Sequence, residues 1–120
     1  MKKIITIILC FSFFGVCNTF SQTVRDIPLK DIDAKYIQIV GFPRMLTNKI
    51  GVFVDFGQEN QVLGKNNNML RDENDEIFLF NSMIDALNFF SRNGFEFEQV
   101  YEKTRRDEIV YFYILKKKVN

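Results

Sequence analysis

Both cysteines of this chain, Cys10 and Cys17, fall within its first 21 residues. Those residues have the three parts of a secretory signal: Lys2 and Lys3, then an apolar run from Ile4 to Val16 broken only by Thr6, Cys10, Ser12 and Gly15, then polar residues. The run is shorter than the roughly 20 residues that cross a bilayer, so no permanent membrane anchor is expected. Thr19 and Ser21 supply small residues third from last and last before a cut, which places the mature start at Gln22; a cut after Cys17, with Gly15 third from last, is the competing site. Lipidation of Cys17 would want a small residue just before it, and Val16 stands there. Removal of residues 1–21 leaves a chain of 99 residues with no cysteine. An exported chain of that kind forms no disulfide, so core packing alone must hold it. At this size it buries somewhat more than about 60% of its unfolded surface, enough for one modest core.

Composition then removes whole classes of chemistry. The chain has no His, which excludes Ser-His-Asp hydrolysis, Cys-His proteolysis and His-based zinc sites. Without Lys2 and Lys3 the mature chain carries 14 basic against 15 acidic residues, a balance that gives no reason to expect a nucleic-acid groove. No Gly-rich phosphate loop is present, and no cofactor or metal site is expected.

Residues 22–34 show no apolar periodicity and contain Pro28, so they read as an extended lead-in to a single domain over 35–120. Lys35–Gly41 is rich in β-branched and aromatic residues and predicts a first strand; Lys49–Gly57 predicts a second, with Ile50, Val52, Val54 and Phe56 on one face. Residues 58–76 are a polar excursion that includes Asn66, Asn67 and Asn68. A structureless loop of that length is unusual, so a short hairpin is expected in it, with Met69–Arg71 paired to Ile77–Phe80 across the acidic turn. A helix is predicted over Ser82–Asn93. Ser82 and Asp85 have the spacing of a capping box, Gly94 suits the closing position, and Met83, Ile84, Leu87 and Phe90 form an apolar stripe. Two strands follow. Phe95, Phe97, Gln99 and Tyr101 alternate with Glu96, Glu98, Val100 and Glu102; after a turn at Thr104–Asp107, Glu108–Lys116 is apolar on both sides. The class is α+β: a small, mostly antiparallel sheet of four to five strands with one helix packed across one face.

Several motifs have plain explanations. Asp72-x-Asn74-x-Glu76 opens like a calcium loop, but Ile77 and Met83 occupy the positions that need Gly and Glu, so it reads as a solvated turn. Lys116, Lys117 and Lys118 read as a guard against edge-to-edge pairing of the last strand. Among the carboxylates Asp55, Glu59, Glu96 and Glu98, no pattern selects an acid/base pair. A carboxylate-dependent hydrolase of an extracellular polymer, with Asp55 and Glu59, is the rival to a non-catalytic binding or interaction module; a structural envelope protein is the third possibility. A lone helix covers only one sheet face. The other, expected to carry Phe53, Tyr111 and Tyr113, is either covered by the lead-in and the long excursion or pairs with a second copy or a protein partner.

The stretches Asp33-Ala34-Lys35-Tyr36-Ile37-Gln38-Ile39-Val40-Gly41, Met45-Leu46-Thr47-Asn48-Lys49, Asp55-Phe56-Gly57-Gln58 and Phe80-Asn81-Ser82-Met83-Ile84-Asp85-Ala86-Leu87-Asn88 resemble a family of small secreted Bacteroidetes proteins of unknown function. The close of the chain, Gly94-Phe95-Glu96-Phe97 and Tyr113-Ile114-Leu115-Lys116-Lys117, is similar to a wider group of small bacterial domains with a basic last strand. The resemblance implies an α+β layout and an exported bacterial protein; it implies no activity and no catalytic residue.

Overall fold

The computed structural model describes residues 22–59 and 68–119. The leader, with its expected cleavage site and Cys17, lies outside those residues, as do Asn66 and Asn67. In chain order the elements among the described residues are β1 (Thr23–Val24), β2 (Ile27–Pro28), a 3-10 turn at Leu29–Asp31, β3 (Tyr36–Pro43), β4 (Ile50–Asp55), β5 (Leu79–Phe80), helix α1 (Met83–Arg92), β6 (Phe95–Arg105) and β7 (Glu108–Lys117). Strands β3 to β7 form one sheet in the order β5-β4-β3-β7-β6, antiparallel at every pairing, and β1 pairs with β2 separately. The α+β class expected from the sequence is the one observed.

The helix starts where its capping residues place it. Ser82 Oγ accepts from the Asp85 N–H at 3.2 Å, and Asp85 Oδ2 accepts from the Asn81 N–H at 2.9 Å. Gly94, at φ +93°, follows the helix in the left-handed conformation that costs glycine least. The apolar stripe, however, is rotated from the expected one. Ile84 is 66% exposed, while Ala86, Phe89 and Phe90 are buried. Phe89 is drawn in because Phe78 and Phe80 arrive beside it, their ring centroids 5.1 and 5.3 Å away. Phe90 meets Phe95 edge-on at 6.3 Å, which anchors the helix to the start of β6.

The lead-in is part of the core rather than an extended strap. β1 and β2 form a small hairpin across Arg25 and Asp26, whose φ values of 51° and 63° give the doubly left-handed turn that matches strand twist. Val24, Leu29 and Ile32 then pack into the cluster that contains Ile37, Val54 and Phe90. Three apolar residues spaced five and three apart fit neither a helical nor a strand period, which is why the sequence pattern conceals them.

The hairpin expected across the acidic turn is present. Arg71 bridges Ile77, the Phe78 N–H donates to the Leu70 carbonyl at 2.9 Å, and Asp72 Oδ1 closes the turn by accepting from the Asn74 and Glu76 amides. Its first arm extends the sheet beyond β4: Met69 bridges Phe53 and the Leu70 N–H donates to the Val52 carbonyl at 2.8 Å. Met69 and Leu70 therefore fall on opposite sides of the sheet and into different clusters.

Each face has its own core. The helix side joins Ile37, Ile39, Val52, Val54 and Leu115 to the phenylalanines of α1. The other side joins Val40, Phe53, Met69 and Phe112. Gly51 makes the second possible, because a Cβ there would lie 2.7 Å from Met69 Cε and 3.1 Å from Ile77 Cγ2. That second face is thus covered in part by the long excursion, one of the two alternatives the sequence left open.

Strand β6 departs most from its sequence pattern. Phe97 pairs with Leu115, yet Gln99 pairs with Ile114, so Glu98 is an extra residue, a β-bulge. Paired residues share a face, so Phe95 and Phe97 lie on the helix side while Gln99, Tyr101, Lys103 and Arg105 lie on the other. Simple alternation had put Phe97 and Tyr101 on one face. The lysine cluster also has another role than expected. β7 is an interior strand, flanked by β3 and β6, and needs no edge guard. Lys117 Nζ donates to the Ile32 carbonyl at 2.8 Å and Lys118 Nζ to the Ser91 carbonyl at 2.6 Å, tying the lead-in and the last turn of the helix to the end of the sheet.

Candidate functional site

The β6–β7 hairpin outruns the rest of the sheet. β7 pairs with β3 from Tyr36–Lys116 to Ile39–Tyr113, and beyond that point only the β6–β7 ladder continues, to the Arg105–Glu108 pair. The body of the helix meets the hairpin at its base, where Phe90 packs on Phe95, and only Met83 at the helix start reaches a cleft beside the far part. The far part therefore has two faces and no helix above it.

On the helix side of this far part, Phe97, Val100, Ile109 and Tyr111 are 52%, 42%, 58% and 50% exposed. The register sets them in one strip, since Val100 pairs with Tyr113, Glu102 with Tyr111 and Thr104 with Ile109. The strip runs into a cleft of about 210 Å³ where β3 and β7 diverge, walled by Phe42, Pro43, Met83, Ile109 and Tyr111. A Cβ on Gly41 would run into the Met83 sulfur, so that glycine lets the helix start sit at the edge of the cleft.

Of the three residues expected to share the helix-free face, only Phe53 is there, and it is 2% exposed beside its bridge partner Met69. Tyr113 packs against the helix-side cluster and Tyr111 has the same parity along β7. The expectation is corrected by register: Ile39 pairs with both Val54 and Tyr113, which fixes Tyr113 on the side of Val54, opposite its neighbour Phe53. Phe97 and Tyr111 place exposed aromatic surface on the same side as the helix, whereas Tyr36, paired with Lys116, is exposed on the opposite side.

The opposite side of the far hairpin carries a polar groove of about 190 Å³. Phe53 and Phe112 form its floor, Gln38 and Asp55 one wall, and Tyr101, Lys103 and Arg105 the other. Tyr101 lies flat on Phe112, with centroids 5.0 Å apart and planes 8° from parallel, and its hydroxyl donates to Gln38 Oε1. Asp55 Oδ1 accepts from the Gly57 N–H at 2.9 Å. Sequence reasoning missed this groove, because the bulge at Glu98 is what brings Tyr101, Lys103 and Arg105 to the face of Gln38 and Asp55.

The remaining carboxylates do not gather. Glu96 stands opposite Lys116, Glu98 is the bulged residue, and both are exposed. No group of three or more Asp, Glu, Cys or His side chains among the described residues could hold a metal ion. Among those residues no helix is long and apolar enough to cross a membrane. No protein-family model, no curated protein and no solved structure matches the chain.

Proposed function

We propose that the chain is an exported, non-catalytic interaction module that binds a protein partner or a second copy of itself through the strip Phe97, Val100, Ile109 and Tyr111. The single observation that carries this is the exposure of four large apolar side chains in register on one face of a projecting hairpin. Together they present on the order of 300 Å² of apolar surface, the scale at which a patch on a monomer is often functional. Tyr111 suits such a surface because its ring offers apolar contact while its hydroxyl stays hydrated. Export rests on the lysine-led apolar leader at residues 2–16 and on the resemblance to small secreted bacterial proteins.

Sedimentation of the purified protein beside a Val100→Lys, Tyr111→Glu variant tests the surface, with photo-crosslinking from position 109 for hetero-partners. Self-association, or a discrete crosslinked partner, that disappears in the variant supports the proposal. A monomer without crosslinks in both proteins overturns it. One observation keeps the rival hydrolase in view: Asp55 lines a groove. If the protein degrades an extracellular polymer and Asp55→Asn, Glu59→Gln abolishes that activity in a folded protein, the module is an enzyme.

A further inference from the structure

The groove on the opposite side of the hairpin is a second, separate surface, and its chemistry is more specific. Its volume of about 190 Å³ is that of a single substituted ring, since an apolar cavity of roughly 150 Å³ accepts benzene. Its floor is aromatic, Phe53 and Phe112, with the Tyr101 ring held flat and in place by the Gln38 bond. Its two ends differ in charge. Lys103 and Arg105 stand at one end, and no ion pair engages either among the described residues. Gln38 and Asp55, cross-strand partners, stand at the other. Asp55 has one oxygen on the Gly57 amide and a second oxygen left to accept a proton donor.

The register also sets the span. Gln38 lies in the row of Ile114 and Gln99, and Lys103 lies four residues further along β6, about 13 Å at strand rise. The Lys103 ammonium, however, is folded back over the Tyr101 ring, 5.8 Å from its centroid, which shortens the distance between the cationic end and the acceptor end. We infer that this groove binds a small planar organic anion: one aromatic ring with a carboxylate toward Lys103 and Arg105 and a hydrogen-bond donor toward Asp55 and Gln38. The carboxylate meets two cations, the ring lies along the edges of the stacked Tyr101–Phe112 pair, and the donor answers the one negative charge in the site.

The probe is 4-hydroxybenzoate, titrated into the purified, isotope-labelled protein and followed in amide and side-chain NMR spectra, with 4-hydroxybenzamide as its neutral counterpart. The expected result is saturable shifts at Gln38, Tyr101 and Lys103 in the millimolar range, with the amide binding about tenfold or more weaker. Lys103→Gln, Arg105→Gln, at exposed positions near the hairpin tip, should lose a similar factor while keeping the dispersion of the spectrum. Tyr111→Glu, on the other face, should bind the probe as the parent does, which separates this site from the partner surface. Absence of saturable shifts in the parent, or equal affinity for acid and amide, overturns the inference whatever becomes of the partner strip.

Discussion

The two ends of the β6–β7 hairpin are built from the same two strands and have opposite fates. At the base, Phe95 and Leu115 are almost wholly buried under α1 and the lead-in, and Lys117 and Lys118 are bonded to the surrounding backbone. At the far end, Val100, Ile109 and Tyr111 have no such cover, although they are as apolar as the residues at the base. What differs is the supply of partners: α1 has ten residues and its aromatic side is occupied with Phe78, Phe80 and Phe95. Hydrophobicity in a strand therefore shows that a face wants cover, and the topology decides whether the chain provides it. Here the base is stability and the far end is surface.

That division predicts a steep gradient of mutational cost along the hairpin. Phe90→Ala removes the ring that joins the helix to Phe95 and should cost about 3–5 kcal/mol, as large-to-small changes at buried phenylalanine do. Phe97→Ala, at a half-exposed ring two residues along from Phe95, should cost about 1 kcal/mol or less. Urea unfolding followed by far-ultraviolet circular dichroism measures both. Equal costs would mean that the far end is as well packed as the base.

The adjacent pair Tyr113 and Tyr111 sharpens the boundary. They share a face, but Tyr113 packs against the helix-side core and Tyr111 is half exposed. Tyr113→Glu should lose about 2 kcal/mol because it puts a carboxylate where no partner waits. Tyr111→Glu should stay within about 0.5 kcal/mol of the parent and act on association alone. A destabilised Tyr111→Glu monomer would move the boundary outward and remove the case for a partner strip.

Much of the base was legible in the sequence, and the far end was not. The capping residues Ser82 and Asp85, the closing Gly94 and the period-two run Ile50–Phe56 are local signals, and local signals placed α1 and β4 within a residue or two. The hairpin over Met69–Phe80 was legible for the same reason, since an acidic turn stands between two apolar arms. Three things were hidden. Phe89 replaced Ile84 in the buried stripe because Phe78 and Phe80 come from elsewhere in the chain. Val24, Leu29 and Ile32 lack any period. The bulge at Glu98 reverses the faces of β6 without leaving a composition mark, and both candidate surfaces depend on that reversal.

The bulge can be removed directly. Deleting Glu98 takes out the one residue of β6 that faces no partner, so Phe97 and Gln99 become neighbours that still point to opposite sides. The deletion should cost about 1 kcal/mol or less and leave Tyr101 stacked on Phe112, visible as unchanged ring-current shifts of both rings. In a regular strand the same deletion would carry Tyr101, Lys103 and Arg105 to the helix side, abolish that stack and unfold the hairpin. Loss of the stack would thus refute the register on which both surfaces rest.

The smallest effect separates the two ends through their turns. Arg106 and Asp107 close the far hairpin with φ values of 49° and 64°, a conformation that asparagine and glycine adopt with less strain. Arg25 and Asp26 close the β1–β2 hairpin in the same way, but there Arg25 Nε donates at 2.6 Å to Oδ1 of Asn68, a fully buried side chain. The near turn therefore needs its arginine, whereas at Arg106 no side-chain bond to a described residue offsets the strain. Arg106→Asn with Asp107→Gly should raise stability by about 0.5 kcal/mol, read as a small upward shift in the urea midpoint at constant slope. The same exchange at Arg25 and Asp26 should lower the midpoint, because it leaves the Asn68 oxygen without its strongest donor. If both exchanges move the midpoint the same way, backbone strain alone governs the two turns and the near hairpin is no better anchored than the far one.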